Sequence, residues 1–216
     1  MKKTKTCLCI LLCVLLMMCC ACEQQVGSSQ PSDPRIPSNI GENGMNETQG
    51  LKYTVHRVWT SKELQDGVAN AAYVNPRNGE EMAEDGTFTS AHSYFFVNLT
   101  IENISFPRDQ LYLNMLQIYP YNGAQMLEHG DGYPRTMNYN LEMAGDPCFF
   151  IIDTYEGQSV QYTLAFVLSD EVLKQATDYY LLLNPNGGTM EKFEDGVHVG
   201  WAGGIQFIKL DDFMEE

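Results

Sequence analysis

Between Ser93 and Asn103 the side chains change character residue by residue. Phe95, Val97, Leu99 and Ile101 fall on one side of an extended chain, and Asn98, Thr100 and Glu102 on the other. A period of two belongs to a strand with one buried face, not to a helix, whose apolar positions recur every three to four residues. Two more segments repeat the pattern. Val160, Tyr162, Leu164, Phe166 and Leu168 alternate with Gln161, Thr163 and Ala165, and Met137, Tyr139, Leu141 and Met143 alternate with Asn138, Asn140 and Glu142.

Further strands are expected over Lys52 to Thr60 and Leu111 to Tyr119, which are rich in aromatic and branched residues, and at the apolar runs Phe149 to Ile152, Tyr179 to Leu183 and Ile205 to Leu210. Turn dipeptides separate them: Asn78-Gly79, Asp85-Gly86, Asn122-Gly123, Glu156-Gly157 and Asn186-Gly187-Gly188. Many short strands with such punctuation predict a mainly β protein, an antiparallel β-sandwich. One short helix is expected after Ser169, a residue suited to an N-cap, with Asp170 and Glu171 in the first turn and an end near Thr177. The tail from Met190 to Glu216, with Trp201 among glycines, is expected to add a hairpin.

The N-terminus carries a different signal. Lys2, Lys3 and Lys5 precede an uncharged stretch from Cys7 to Ala21, the layout of an export signal and too short to span a bilayer as a helix. Ala21-Cys22 after leucines and methionines resembles the bacterial lipobox, in which the cysteine receives a diacylglyceryl group. Cys19 stands where leucine is usual, and Cys20 where alanine or serine is commoner. Residues 1–21 are therefore read as a signal peptide and Cys22 as the lipidated first residue of the processed chain. Cys7, Cys9, Cys13, Cys19 and Cys20 leave with the signal, so Cys148 alone remains in the domain and the fold is expected to form without a disulfide. Cys148 opens an apolar run, Pro147-Cys148-Phe149-Phe150, as a buried inert thiol would.

Residues 22–50 read as a tether. Serine, proline, glycine, asparagine, glutamine and glutamate dominate, with Val26, Ile36, Ile40 and Met45 the sizeable apolar residues. Such a segment buries too little surface to offset its ordering entropy. As a flexible coil its 28 residues after Cys22 would span about 30 Å. Residues 51–216 are the size of one domain.

Charge narrows the partners. The chain has 13 basic and 28 acidic residues; three of the lysines lie in residues 1–21, leaving ten basic against 28 acidic residues, a formal charge of −18. That excludes the basic surface nucleic acid requires and holds the domain off an anionic membrane.

No catalytic constellation emerges. The sequence has no nucleophile elbow, glycine-rich phosphate loop or His-Glu-x-x-His pair, and His56, His92, His129 and His198 lack metal-ligand spacing. Acidic positions that could hold calcium are Glu128 and Asp131, and Glu191, Glu194 and Asp195, but none matches an EF-hand loop. No metal, cofactor or catalytic residue is assigned. Candidate binding residues are aromatic: Tyr121 and Tyr133, near Tyr119 and Tyr139 around the connection between two strands, and Tyr94 and Phe96, on the outward side of the 93–103 strand. Tyrosine gives contact area at low entropic cost; alternatively, a loop or the C-terminal hairpin covers these rings.

The lipobox, the polar tether, Tyr94-Phe95-Phe96-Val97-Asn98-Leu99-Thr100-Ile101-Glu102-Asn103 and Gly157-Gln158-Ser159-Val160-Gln161-Tyr162-Thr163-Leu164-Ala165-Phe166 together resemble a group of uncharacterised lipoproteins of Gram-positive, clostridial-type bacteria. These carry a telokin-like, immunoglobulin-like β-sandwich. The resemblance implies that fold over most of residues 51–210 and assigns no active site.

The expected function is a lipoprotein on the outer face of the cell membrane, binding or scaffolding an envelope or host protein or glycan, without catalysis. An envelope hydrolase acting on glycan or peptide, and an immunity lipoprotein sequestering a toxic peptide, are the alternatives. Two acyl chains would give stable anchoring where one would not. Mass spectrometry of the N-terminal peptide is expected to find Cys22 diacylated at the mature terminus; an unmodified terminus elsewhere, or a retained signal, would refute the lipobox reading.

Overall fold

The computed structural model describes residues 37, 39–65, 76–77, 79–127, 132–137, 151–184, 191–194, 197–201 and 205–215. The alternating segment at 93–103 becomes strand β4 (His92–Asn103), central in a five-stranded antiparallel sheet of order β2-β3-β4-β9-β7. Its long neighbours are β3 (Leu51–Ser61) and β9 (Ser159–Ser169), and the edges are β2 (Met45–Thr48) and β7 (Thr136–Met137). Register follows side-chain character: Phe95 lies opposite Phe166, Val97 opposite Leu164, and Leu99 opposite Tyr162.

β3 has the same alternation with one interruption. Leu51, Tyr53 and Val55 point inward, yet the next buried residue is Val58. Pairing runs Val55–Leu99 and then Arg57–Asn98, so His56 is the extra residue of a β-bulge. The bulge returns Val58 to the buried face opposite Val97, and His56 Nε2 lies 2.7 Å from Thr100 Oγ1 on the exposed side.

The second sheet has order β1-β13-β10-β6: β1 (Ile40–Gly41), β13 (Gln206–Lys209), β10 (Asp178–Leu183) and β6 (Gln117–Tyr121). Its pairs are antiparallel except β1 with β13. Between the two sheets lies the main core, where Phe95, Leu99 and Phe166 from the first meet Ile118, Leu181 and Ile208 from the second. Two smaller pairs complete the described strands: β5 (Gln110–Tyr112) with β8 (Ile151–Asp153), and the hairpin β11 (Glu191–Glu194) with β12 (Val197–Trp201). The fold is an antiparallel β-sandwich with one short helix among the described residues, and β11–β12 is a hairpin within the tail where one was expected.

That helix, α1 (Asp170–Gln175), carries the chain from β9 to β10 and so from one sheet to the other. Ser169 is extended and its Oγ accepts from Val172 N–H at 3.2 Å, with Asp170 and Glu171 in the first turn and Lys174 in the last. It ends two residues before the expected Thr177, where Ala176 N–H donates to Val172 C=O.

Two expectations need correction. The tether does not run to residue 50, because β1 and β2 belong to the sheets. Their pairing depends on backbone and on one polar side chain rather than on apolar residues: Asn46 Nδ2 donates to the carbonyls of Asn39 and Phe207, each at 2.9 Å. The turn between them uses left-handed Asn43 and Gly44. Composition alone could not reveal strands held in this way. The other correction concerns 111–119, which is not one strand. Leu111, Leu113, Leu116 and Ile118 are all buried, at intervals of two, three and two, because a 3₁₀ turn at Leu113–Met115 moves the chain from β5 to β6. Of the expected 137–143 strand only Met137 is described. Cys148 and Tyr139 lie outside the described residues, as do residues 1–36 with the signal and Cys22.

Tyr53 is fully buried and its hydroxyl has no hydrogen-bond partner among the described residues, and burial pushes its phenol far above the ordinary range. Removing a buried unsatisfied group relieves its desolvation penalty. Tyr53→Phe is therefore expected to raise unfolding stability by on the order of 1 kcal/mol in a denaturant titration, and a loss of stability would show that the hydroxyl is partnered.

Candidate functional surface

The outward side of β4 is not uniform. Asn98, Thr100 and Glu102 are partly exposed, as expected, but Tyr94 and Phe96 are both 0% exposed. They are not surface residues, and their assignment as binding residues is corrected. Trp59 stacks on Phe96 with ring centroids 4.9 Å apart, the Arg57 guanidinium lies 4.5 Å over Trp59, and Phe88 packs on Tyr94 at 4.7 Å. Tyr94 Oη donates to the Gly86 carbonyl at 2.7 Å, and burial pushes its pKa up to about 12. The covering segment, residues 79–91, is fastened at two points. Glu80 forms a buried bidentate pair with Arg135 at 2.9 and 3.0 Å, and the carbonyls of Ser90 and His92 accept from Lys62, which also pairs with Asp170 at 2.6 Å. The readable signal was the aromatic character itself: rings on an otherwise polar face call for a cover.

Tyr121 and Tyr133 are half-buried along the β6 edge. Tyr121 pairs with Met126 in a β-bridge, and its carbonyl accepts from Thr177 N–H at 2.7 Å. Tyr133 follows Gly132, whose carbonyl accepts from Ile118 N–H. Tyr119 is buried with Tyr180, Leu182 and Phe207, its hydroxyl donating to Gln117 Oε1 at 2.8 Å. Tyr121 is thus the rim of an apolar cluster. Beside it, a cleft of about 460 Å³ separates Met126 and Leu127 from Ser169, Val172 and Gln175 around α1.

A surface the sequence did not single out lies at the far end of β4. Tyr155 is 60% exposed and Ile104 40%, on adjacent loops that are bonded to each other. Asn103 N–H donates to Gln158 C=O, and Gly157 N–H donates back to Asn103 C=O. The buried Asn103 side chain accepts from Phe106 N–H and donates to Thr154 Oγ1. Gln158 Oε1 accepts from Tyr155 N–H at 2.9 Å, and Gly50 C=O accepts from both Ile104 and Ser105. Gly50 has φ +83° and stands so close to Ser105 and Phe106 that a Cβ would come within 2.7 Å of the Phe106 nitrogen. Next to these loops is an open depression of about 450 Å³ lined by Arg108, Asp109, Gln110, Tyr112 and Asp153. The one available signal was a tyrosine directly before the Glu156-Gly157 turn, and a single ring beside a turn carries little information.

Among the described residues, no cluster of histidine, cysteine and carboxylate side chains has the arrangement of a metal site. Glu128, Asp131 and Asp195 lie outside the described residues, and the side chains of Glu191 and Glu194 are not described. The displaced carboxylates serve the fold. Burial acts to raise Glu80, but the hydrogen bonds from Arg135 and from Arg77 N–H overcome it and leave the carboxyl below its usual range. Lys62, assisted by Ser93, lowers Asp170, and Lys209, at 2.6 Å, lowers Asp178. Asp211 moves the other way, raised by burial.

No protein-family model matches the chain, and no curated protein is similar to it in sequence. Three solved structures show a distant likeness. A Bacillus subtilis protein described as a putative lipoprotein (ycdA) is 11% identical with a TM-score of 0.39, over 79% of this chain and 39% of that one. The yjhA protein from Bacillus subtilis is 16% identical with a TM-score of 0.38, over 82% and 99%. A β-sandwich protein from Clostridium difficile 630 is 12% identical with a TM-score of 0.39, over 81% and 95%. The chain thus spans 39% of the length of the ycdA protein.

Glu80, Asp170 and Asp178 have folded pKa values below their unfolded ones. The stability they contribute is complete above the unfolded value of about 4 and is lost as pH falls through the folded values. Asp211 opposes this, since protonation relieves its burial. Asp85, lowered by the Thr87 N–H it accepts from, acts in the same direction as the first three; with four groups against one, the melting temperature is expected to fall between about pH 6 and about pH 3. Asp170→Asn should lower it at the higher pH and shrink the fall. An equal fall in both proteins would show that the Lys62–Asp170 pair contributes nothing to acid sensitivity.

Proposed function

We propose that the chain is a lipoprotein held by Cys22 on the outer face of the cell membrane, and that its sandwich binds another molecule rather than transforming one. The telokin-like, immunoglobulin-like lipoprotein group it resembles belongs to this reading. The observation that carries it is the division of labour among the described side chains. Of the lowered carboxylates, Glu80, Asp170 and Asp178 are held in ion pairs that fasten structural elements and Asp85 closes its own turn by accepting from Thr87 N–H, whereas Tyr155 and Ile104 are held out to solvent by loops bonded to each other. Shifted carboxylates gathered in a cleft would favour catalysis; rigidly presented apolar side chains favour recognition. Partners in keeping with the address are envelope or host proteins and glycans.

Photo-crosslinking amino acids placed singly at positions 121, 133 and 155 of the full lipoprotein on intact cells test this reading. A discrete, saturable adduct from at least one position is expected, together with no turnover of peptidoglycan fragments or of a peptide mixture. Turnover abolished by a single carboxylate substitution would overturn the reading in favour of a hydrolase.

A further inference from the structure

We infer that the loop end formed by residues 103–112 and 151–158 is the docking surface for a polypeptide segment carrying lysine or arginine beside apolar residues. The inference rests on the binding reading above and adds a place and a partner chemistry to it.

The place follows from exposure combined with rigidity. Tyr155 and Ile104 are two of the four large hydrophobic residues most exposed among those described. Exposed rings on loose loops are common, but these loops are not loose. Asn103 uses its backbone N–H and C=O and both ends of its amide to tie β4 to the 154–158 turn and to Phe106. Gln158 closes that turn, its N–H donating to Tyr155 C=O and its Oε1 accepting from Tyr155 N–H, each at 2.9 Å. Thr154 N–H donates to Asp109 C=O at 2.8 Å, joining the turn to the wall of the depression. A partner meeting Tyr155 therefore orders little that is not already ordered, and so little of the contact energy is lost to entropy.

The partner chemistry follows from charge. The depression presents Asp109 and Asp153 against Arg108, with Gln110 and Tyr112 as further polar walls. Neither aspartate makes an ion pair among the described residues, in contrast to Glu80, Asp170 and Asp178. Glu156 adds a third carboxylate on the Tyr155 turn, and the whole chain is acidic, with net charge −15. An ammonium or guanidinium group meets two carboxylates there, while the apolar neighbours of that residue rest on Tyr155 and Ile104. An anionic segment would be repelled, and the open depression of about 450 Å³ is suited to a side chain rather than a folded domain.

The test uses the full lipoprotein in neutral detergent, with fluorescence anisotropy of a short soluble peptide of lysine, tyrosine and glycine, its glutamate counterpart, and a labelled peptidoglycan oligosaccharide. The lysine peptide is expected to bind and the glutamate peptide not to. The double variant Asp109→Asn with Asp153→Asn should weaken binding about tenfold. Tyr155→Ala should weaken it about fivefold, with Tyr155→Phe retaining most of it. The pair Glu63→Gln with Asp212→Asn removes two exposed charges elsewhere and should leave affinity within about twofold, since distant surface charges are screened. Melting temperatures of the variants guard against unfolding. No binding of the lysine peptide, equal weakening by the distant pair, or Tyr155-dependent binding of the oligosaccharide in preference to the peptide would each overturn the inference. Saturable adducts from position 121 or 133 alone would leave the binding reading standing while this surface falls; hydrolytic turnover would remove both.

Discussion

The register of β4 is the constraint on which the rest of the molecule depends. It is bonded on both sides along most of its length, to β3 and to β9. A slip of one residue would exchange its faces, carrying Phe95, Val97, Leu99 and Ile101 out of the core. Each such side chain loses about 1.5–3 kcal/mol when moved from the interior to water, so four of them define the pairing firmly. The bulge at His56 is a consequence: β3 must keep Tyr53, Val55 and Val58 opposite the inward residues of β4, and one extra residue corrects the phase.

What β4 leaves on its other face decides how the loops are used. At its start that face is aromatic and needs a cover, which residues 79–91 supply. The Glu80–Arg135 pair that fastens the cover is buried on both sides. Such a pair adds little over a hydrophobic replacement, yet losing one partner leaves an uncompensated charge. Its contribution is therefore placement of the segment more than net stability. The Lys62–Asp170 pair is over two-fifths exposed on each side chain and screened accordingly, but it links the cover to the start of α1 and thereby to the crossover between sheets.

Sequence and structure agree where side-chain periodicity is strong. β4 and β9 were legible because burying one face of a strand writes a period of two into the chain; β10 and β13, buried at consecutive residues, were legible as short apolar runs, and the cap at Ser169 from the acids that follow it. Legibility failed where polar groups do the pairing. β1 and β2 lie in a stretch with the composition of a tether and are held by backbone and by Asn46, which leaves no apolar signature. It also failed for Tyr94 and Phe96, whose place on the polar side of a strand suggested exposure; the segment that covers them runs directly into β4, but Arg135, which fastens it through Glu80, is remote in sequence. The Tyr155 surface went unseen for a related reason. Its rigidity comes from Asn103, Gln158 and Gly50, each ordinary in sequence and informative only once their partners are known.

The two ends of β4 are thus built on opposite principles. At the Tyr94 end, apolar rings are closed over and the ionised groups nearby are spent on fastening. At the Asn103 end, hydrogen bonds fix the loops, and the apolar side chains and two aspartates remain outward. A structural role alone accounts for the first arrangement, since a buried aromatic face stabilises the sheet and its latch holds the cover. It does not account for the second, where immobilised loops leave Tyr155 and Ile104 in water without gaining burial from them. Exposed apolar area on ordered backbone is unfavourable to the isolated protein but favourable to a complex, and that asymmetry is the physical basis of the docking surface proposed at the Asn103 end of the sandwich.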